Sequence, residues 1–425
     1  MTASPRGRVN VLHYISNTGM TGVESYVLTV CENLARDGFR STIACDPEGR
    51  DELVARAAAR GIRVVPVPLA SGGRGPVGRL AAFASHAVGL VATLRRTMRE
   101  EQADVLHVHT ASAPVSFHVF VAALLAGVRT VVVTHHAMLS HFAQYRNLSS
   151  NVGFWLEKRT AQRVTAYYDG HARELLDDGV RAATMRVVPH GVDMTRYDAV
   201  RRGERPADGT FHIAIVARLI EGKGHSEPIR AAARLAGRVP GLRIEMIGDG
   251  PLRPALEAEI AALGVGHLVR LAGKVPNAEL PALLATMDAI ALPSYMIGEV
   301  FPVSLLEGMA LGLPAIGARF SGIPSIITEG GTGYVVEPAD VGSLAAAIER
   351  LASDPAAAAA MGQRARARVH DRYSATAQAR AIEAIYREAM DGPPASVLGL
   401  VATRSVRTVP HVAAAVAVAL SGGVQ

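Results

Sequence analysis

The sequence is poor in cysteine, in aromatic residues and in long apolar runs. Its two cysteines, Cys31 and Cys45, belong to no CxxC or Cys/His cluster. That argues against a zinc ligand set or a disulfide framework and is compatible with a reduced compartment. Aromatic residues make up 5% of the chain, with one tryptophan, and no array interleaves them with Arg or Lys. Stacking platforms for single-stranded nucleic acid are therefore not expected. No stretch reaches the ~20 apolar residues that a membrane span needs, and His411–Leu420 has about half that length. The N-terminus (MTASPRGRVNVLHYIS) enters a strand-like run too early for a signal peptide. The first strand-like run is not followed by GxGxxG, and no strand-like run ends in DxD. A dinucleotide fingerprint is thus missing, as is the usual paired-acid metal motif.

What is present is a chain of 425 residues, 49% apolar, with a mean hydropathy of +0.21. It is too long for one ordinary core, and two domains are expected. The net charge of +6 suits acidic ligands, although much of the surplus is arginine spread along Ala-rich helical segments. Short β-rich runs alternate with helical patterns, the mark of parallel α/β sheets. In the first half the runs are Val9–Ile15, Ser41–Cys45, Val64–Val67, Val105–Val108, Thr130–Thr134, Val164–Tyr168 and Arg186–Val188. In the second they are Phe211–Val216, Arg243–Ile247, Val269–Leu271, Ala289–Leu292, Pro314–Ile316 and Gly333–Val335. Between the halves, Thr195–Gly209 (TRYDAVRRGERPADG) is polar and lacks an apolar period, which marks a hinge. The expected organisation is an N-terminal Rossmann-like domain over 1–200, a second over 201–373, a helix over 374–390 and an Ala/Val-rich tail over 391–425. Doubly wound sheets bind ligands at the carboxyl ends of their strands.

The most informative stretch is GEVFPVSLLEGMALGLPAIGARFSGIP (298–324). Glu299 and Glu307 lie eight residues apart there, with Pro302 between them. Proline suits a helix start, so Glu299 is read as a loop residue and Glu307 as lying in the second helical turn. The N–H groups of Val303, Ser304 and Leu305 then point out of the helix and can bind an anion. Arg218 and Lys223, five apart in the glycine-bearing loop ARLIEGKG, can clamp a diphosphate, one through a planar fork and the other as a point charge. At the N-terminus the turn Ser16–Gly22, with Gly19, Thr21 and Gly22, lets backbone approach a ligand ahead of a helix opened by Val23 and Glu24. Asp46, after the second run, reads as a turn residue before a ribose ligand. His109, His135 and His136 fall at the ends of the fourth and fifth runs. They lack HxxxH spacing, so hydrogen bonding to a hydroxyl, or simple packing, is favoured over metal binding.

Taken together, ARLIEGKG, IGDGPLRPALE and LPSYMIGEVFPVSLLEGMALGLPAIGARFSGIPSII resemble the retaining family-4 glycosyltransferases of GT-B fold. The second-domain hallmark of that family is Glu, seven residues, Glu, here Glu299 and Glu307. SNTGMTGVESYVLTVCENLARDGF, DVLHVHTASAP, VVVTHHAM and VVPHGVD are similar to the family's first-half motifs, in order over roughly residues 8–390. The resemblance implies that Glu307 holds the nucleotide ribose and Glu299 the donor sugar. It also implies that Arg218 and Lys223 bind the departing diphosphate, that His136 touches the sugar, and that the Gly19–Gly22 turn lies under phosphates or acceptor. The sequence departs from the pattern at Thr21-Gly22, where paired glycines are usual, at His190, where Asn is common, and at Tyr168, where a small hydroxyl residue is common.

The resemblance thus implies a metal-independent enzyme that moves a sugar from a nucleoside-diphosphate-sugar to a hydroxyl acceptor on an envelope glycan, lipid or secondary metabolite, with no cofactor. Two carboxylates also suit glycoside hydrolysis, but a hydrolase has no use for a diphosphate clamp. A sugar-nucleotide epimerase or phosphorylase-like enzyme of the same fold is the alternative, and a non-catalytic or NAD-dependent nucleotide binder a more distant one. A cytoplasmic location is expected. The apolar segment 76–100 with its basic end leaves room for peripheral contact with the inner face of a membrane, although a helix covering the sheet has the same pattern. The sequence names neither the donor nucleotide nor the acceptor.

Overall fold

A computed structural model of the chain describes residues 7–16, 22–67, 76–110, 117–138, 148–200, 209–295 and 300–393. Glu299, Gly19 and Thr21 lie outside the described residues, as does the tail from 394 onward. The chain divides into two compact units. One runs to Val188 and resumes at Ala379, and the other is Pro189–Gln378.

The first unit is built on a seven-stranded sheet. Its strands are β1 Val9–Ile15, β2 Phe39–Cys45, β3 Arg63–Pro66, β4 Val105–Thr110, β5 Thr130–His135, β6 Arg163–Ala166 and β7 Met185–Val187. They lie in the order β3-β2-β1-β4-β5-β6-β7 and pair in parallel throughout. Helices cover both faces, so central strands such as β4 and β5 are buried along their whole length. That is why β5, TVVVTH, reads as a near-continuous β-branched run and not as an alternating one. The helix Pro76–Glu100 turns Leu90, Leu94 and Met98, spaced four apart, into this core. Each such buried side chain contributes about 1.5–3 kcal/mol. Among the described residues no helix is long and apolar enough to cross a membrane.

The second unit repeats the plan with six parallel strands. They are β8 Phe211–Val216, β9 Leu242–Ile247, β10 Val269–Gly273, β11 Ala289–Leu292, β12 Ala315–Ala318 and β13 Gly333–Val336, in the order β10-β9-β8-β11-β12-β13. All thirteen strand-like runs of the sequence fall on strands. The order reverses direction at β1/β4 in one sheet and at β8/β11 in the other. The carboxyl ends of those pairs are the switch points where doubly wound sheets take ligands.

The division between the units lies earlier in the chain than the hinge read at 195–209. The helix Met194–Asp198 belongs to the second unit, where Tyr197 is fully buried. A polar segment can still be folded when one aromatic anchors it. The last helix, Ala375–Met390, is shared: its start belongs to the second unit and residues from Ala379 on belong to the first. Within the first unit Glu383 accepts from the Ala35 amide at 2.7 Å, and Glu388 accepts from Arg186 Nε at 3.1 Å.

Candidate active site

In the second unit, Arg218 and Lys223 occupy the loop that leaves β8. The loop is fixed by backbone bonds. Ala217 N–H donates to Ile247 O at 3.1 Å, Leu219 N–H to Asp249 O at 3.0 Å, and Tyr295 N–H to Gly222 O at 2.9 Å. Two glycines permit that packing. Gly248 has φ +145, and a Cβ there would lie 1.9 Å from Ala217 O; Gly224 has φ +71, and its Cβ would lie 2.2 Å from Pro293 O. From below, the buried His225 donates through Nε2 to the carbonyl of Arg218 at 2.8 Å. Burial holds the His225 pKa below its ordinary value, which keeps the ring neutral. The Arg218 side chain is exposed and has no ion-pair partner among the described residues.

The neighbouring switch-point strand, β11, leads through 293–302 to the helix Val303–Ala310. Pro302 is its N-cap, with extended backbone (φ −76, ψ 105), and no side chain among the described residues caps the end. The N–H groups of Val303, Ser304 and Leu305 thus stand at an open helix start, where an anion is favoured. Gly308 lets this helix close on β11, because a Cβ there would meet the Ile290 side chain at 2.6 Å. Glu307 is partly exposed. Its Oε1 accepts from the hydroxyl of Tyr197 at 2.9 Å. Burial raises the Glu307 pKa, while the Tyr197 hydrogen bond and Arg196 oppose the rise. Arg218 and Lys223 thus lie on the loop that follows β8, and the helix start and Glu307 on the segment and helix that follow its neighbour β11.

In the first unit, Gly22 opens the helix Gly22–Asn33 after β1, and a Cβ added to it would meet no atom of the described residues within 4 Å. Asp46 is a turn residue, accepting from the Glu48 amide at 3.2 Å. The histidines form a network that sequence reasoning did not find. His13, paired in register with His107 across β1 and β4, bonds through Nδ1 to Nε2 of His109 at 3.1 Å. His109 Nδ1 bonds to Nε2 of His136 at 3.1 Å, and His136 Nδ1 bonds to the hydroxyl of Tyr167. His107 has both nitrogens engaged, by Tyr386 at 2.6 Å and Thr134 at 2.7 Å. His13, His107 and His109 are fully buried, and burial pushes all three pKa values down, that of His13 to about 3. Their nitrogens lie within 4.8 Å of one another, but those of His107 and His109 are spent on hydrogen bonds.

This geometry changes two expectations. His109, read as a sugar or acceptor contact, is wholly buried and stands behind His136. His136 keeps partial exposure, yet both of its ring nitrogens are bonded within the protein, so a contact through the ring would have to break one of those bonds. His135 faces elsewhere and bonds through Nε2 to Glu157 at 2.7 Å. The only sequence signal for the network was the two-residue spacing of His107 and His109, which puts both on one face of β4.

The chain matches the family model described as Glycosyltransferase Family 4 over residues 20–196 and that described as Glycosyl transferases group 1 over residues 197–368. It is 34% identical over 197 residues to the GDP-mannose-dependent alpha-(1-6)-phosphatidylinositol monomannoside mannosyltransferase of Mycolicibacterium smegmatis, a match covering 43% of this chain and 50% of that one. It is 26% identical over 347 residues to the alpha-D-kanosaminyltransferase of Streptomyces kanamyceticus, covering 78% and 88%. The fold is similar to that of Anabaena HepE in complex with UDP, with TM-score 0.71, 21% identity, and 88% and 99% of the two chains covered. It is also similar to that of a glycosyltransferase from Rickettsia africae, with TM-score 0.75, 19% identity, and 91% and 100% covered. At such identities the likeness bears on the fold, two Rossmann-like units of GT-B type. With one family model taking over where the other ends, the chain belongs to the group 1, family-4 glycosyltransferases.

Proposed function

We propose that this glycosyltransferase moves a sugar from a nucleoside-diphosphate-sugar to a hydroxyl acceptor with retention at the anomeric carbon. The observation that carries the reading is the exposed Arg218, on a loop held by Gly224 and Gly248, together with the start of the helix Val303–Ala310, which no side chain caps among the described residues. In the reaction the bond from the anomeric carbon to the diphosphate oxygen breaks and a bond to the acceptor oxygen forms. The acceptor proton passes to the departing phosphate oxygen on the same face. The work is to stabilise that leaving diphosphate. Preorganised cations and helix-end N–H groups do so at the moment charge develops. Arg218 and Lys223 supply the charge, Glu307 binds the ribose hydroxyls, and Glu299 binds the sugar. His136 is assigned to the sugar, a contact that would replace one of its two internal ring bonds, and Gly22, Gly19 and Thr21 are assigned to the phosphates or acceptor. With these groups the step needs no metal, so a chelator is expected to leave the rate unchanged.

One relative is named for GDP-mannose and one structural neighbour holds UDP, so both nucleotides belong in the test. UDP-, GDP- and dTDP-sugars are screened by thermal shift, and the best is used for transfer to a panel of hydroxyl acceptors. A rise in Tm with at least one donor is expected, and transfer is expected to fall by about 10²–10³-fold in Arg218→Ala and comparably in Glu299→Ala. Unchanged turnover in both variants would overturn the reading. Epimerised or phosphorolysed donor without acceptor would redirect it to the alternative chemistry.

A further inference from the structure

We infer that Tyr197 is a positioning residue that holds the Glu307 carboxylate in the orientation needed to receive a ribose diol. The inference rests on the reading of Glu307 as the ribose ligand and extends it to a residue outside the sugar- and phosphate-binding motifs. Tyr197 has no exposed surface, and its hydroxyl donates to Glu307 Oε1 at 2.9 Å. A carboxylate ends in a broad, nearly two-fold torsion, so a glutamate on a helix flank samples many orientations unless something fixes it. One directed bond from a rigid, buried phenol removes that freedom and leaves Oε2, with its lone pairs, for a ligand.

The phenol is itself held from several sides. Its helix, Met194–Asp198, is capped by Asp193, whose Oδ1 accepts from Thr195 N–H at 3.0 Å. The residues before the helix are strapped to the start of the last helix. Val192 N–H donates to Tyr373 O at 2.7 Å, Ala375 N–H to Val192 O at 2.8 Å, and Gly191 N–H to Gln378 Oε1 at 3.0 Å. Arg196, beside Tyr197, is a poorer anchor for Glu307, because its guanidinium donates to the Asn277 carbonyl at 2.5 Å. The part played by Tyr197 is therefore one hydrogen bond whose donor cannot move, at a point where the ligand's own hydroxyls have to arrive.

The test uses the full chain and four probes: UDP, GDP and their 2′,3′-dideoxy counterparts. Dissociation constants are measured by calorimetry for the wild type, Tyr197→Phe, Glu307→Gln and the double variant, with Tm recorded for each. Phenylalanine keeps the ring that fills the buried site. The expected result is that Tyr197→Phe weakens the preferred ribonucleotide by about tenfold, the size of one hydrogen bond to a charged group, and leaves the dideoxy form unchanged. The double variant is expected to be no weaker than Glu307→Gln alone. Equal weakening of ribo and dideoxy forms by Tyr197→Phe would mean a merely structural tyrosine and would overturn the inference. Wild-type affinity in Tyr197→Phe, with a ribose-specific loss in Glu307→Gln, would overturn it while the reading of Glu307 stands. If Glu307→Gln fails to distinguish the two forms, or no probe binds the wild type, the reading of Glu307 falls and the inference with it.

Discussion

At the residue scale, the chain places charge in two opposite ways. Arg218 keeps its side chain exposed, whereas Glu24 and Arg50 form an ion pair at 3.1 Å with both side chains fully buried. The second kind is structural: Glu24 sits in the helix after β1, and Arg50 also donates to the Asp46 carbonyl. Removing one partner strands the other charge in the interior, which costs about 3–5 kcal/mol, while replacing both by apolar residues of similar volume costs far less. Glu24→Gln is therefore expected to lower the unfolding free energy of the first unit by about 3 kcal/mol, and Glu24→Leu/Arg50→Met by less. Urea denaturation followed by the fluorescence of Trp155, which lies in this unit, measures both. A single variant as stable as wild type would show that the pair is dispensable. The acid of this pair stood in the sequence only as a helix opener, because nothing local to Glu24 reveals the arginine 26 residues away that it meets.

At the element scale, the candidate site depends on how two loops meet. The loop after β8 and the segment after β11 touch through Gly224, whose φ of +71 disfavours any side chain and whose missing Cβ leaves room for the Pro293 carbonyl. Gly224→Ala brings both strain and a backbone clash, so a loss of about 2 kcal/mol or more is expected. The displaced loop carries Arg218 and Lys223, so nucleotide affinity should fall as well. Thermal denaturation and nucleotide titration of the same preparation check the two parts. A destabilised variant with full affinity would mean that the loop's shape does not matter to the ligand. Much of this was legible in the chain. Glycine and proline punctuate ARLIEGKG, IGDGP and GEVFP, and Pro302 announces the helix start within one residue of where it forms. Less legible were Tyr197, a single aromatic in a polar segment, and the histidine network, which depends on the register of β1 against β4. Burial of a lone tyrosine is decided by what packs over it, and a cross-strand contact by pairing, and neither is a local property.

At the scale of the whole molecule, the neutral histidines couple the first unit to pH. His13, His107 and His109 have folded pKa values below the ordinary histidine value, with burial as the largest cause. The unfolded chain therefore takes up their protons first, as pH falls through about 6.5. Stability is full above that value and declines below it, down to the folded pKa, which for His13 is about 3. Each such group can remove up to about 1.4 kcal/mol per pH unit within that window. Melts of the Trp155 signal should be level above pH 7 and fall steeply between pH 6.5 and 4.5, with a shallower fall in His13→Asn. A pH-independent melt would contradict the neutral network. The amino-acid pattern alone settles the two parallel sheets, because strands covered on both faces must be apolar along their length and the helices between them amphipathic. It also settles the order of the family's motifs and the cationic loop. Tertiary packing alone decides which buried side chains stand behind those motifs: His109 behind His136, and Tyr197 against Glu307. Hydrogen bonds between residues 27 and 110 positions apart are fixed by sheet register and helix packing, and no local pattern records them.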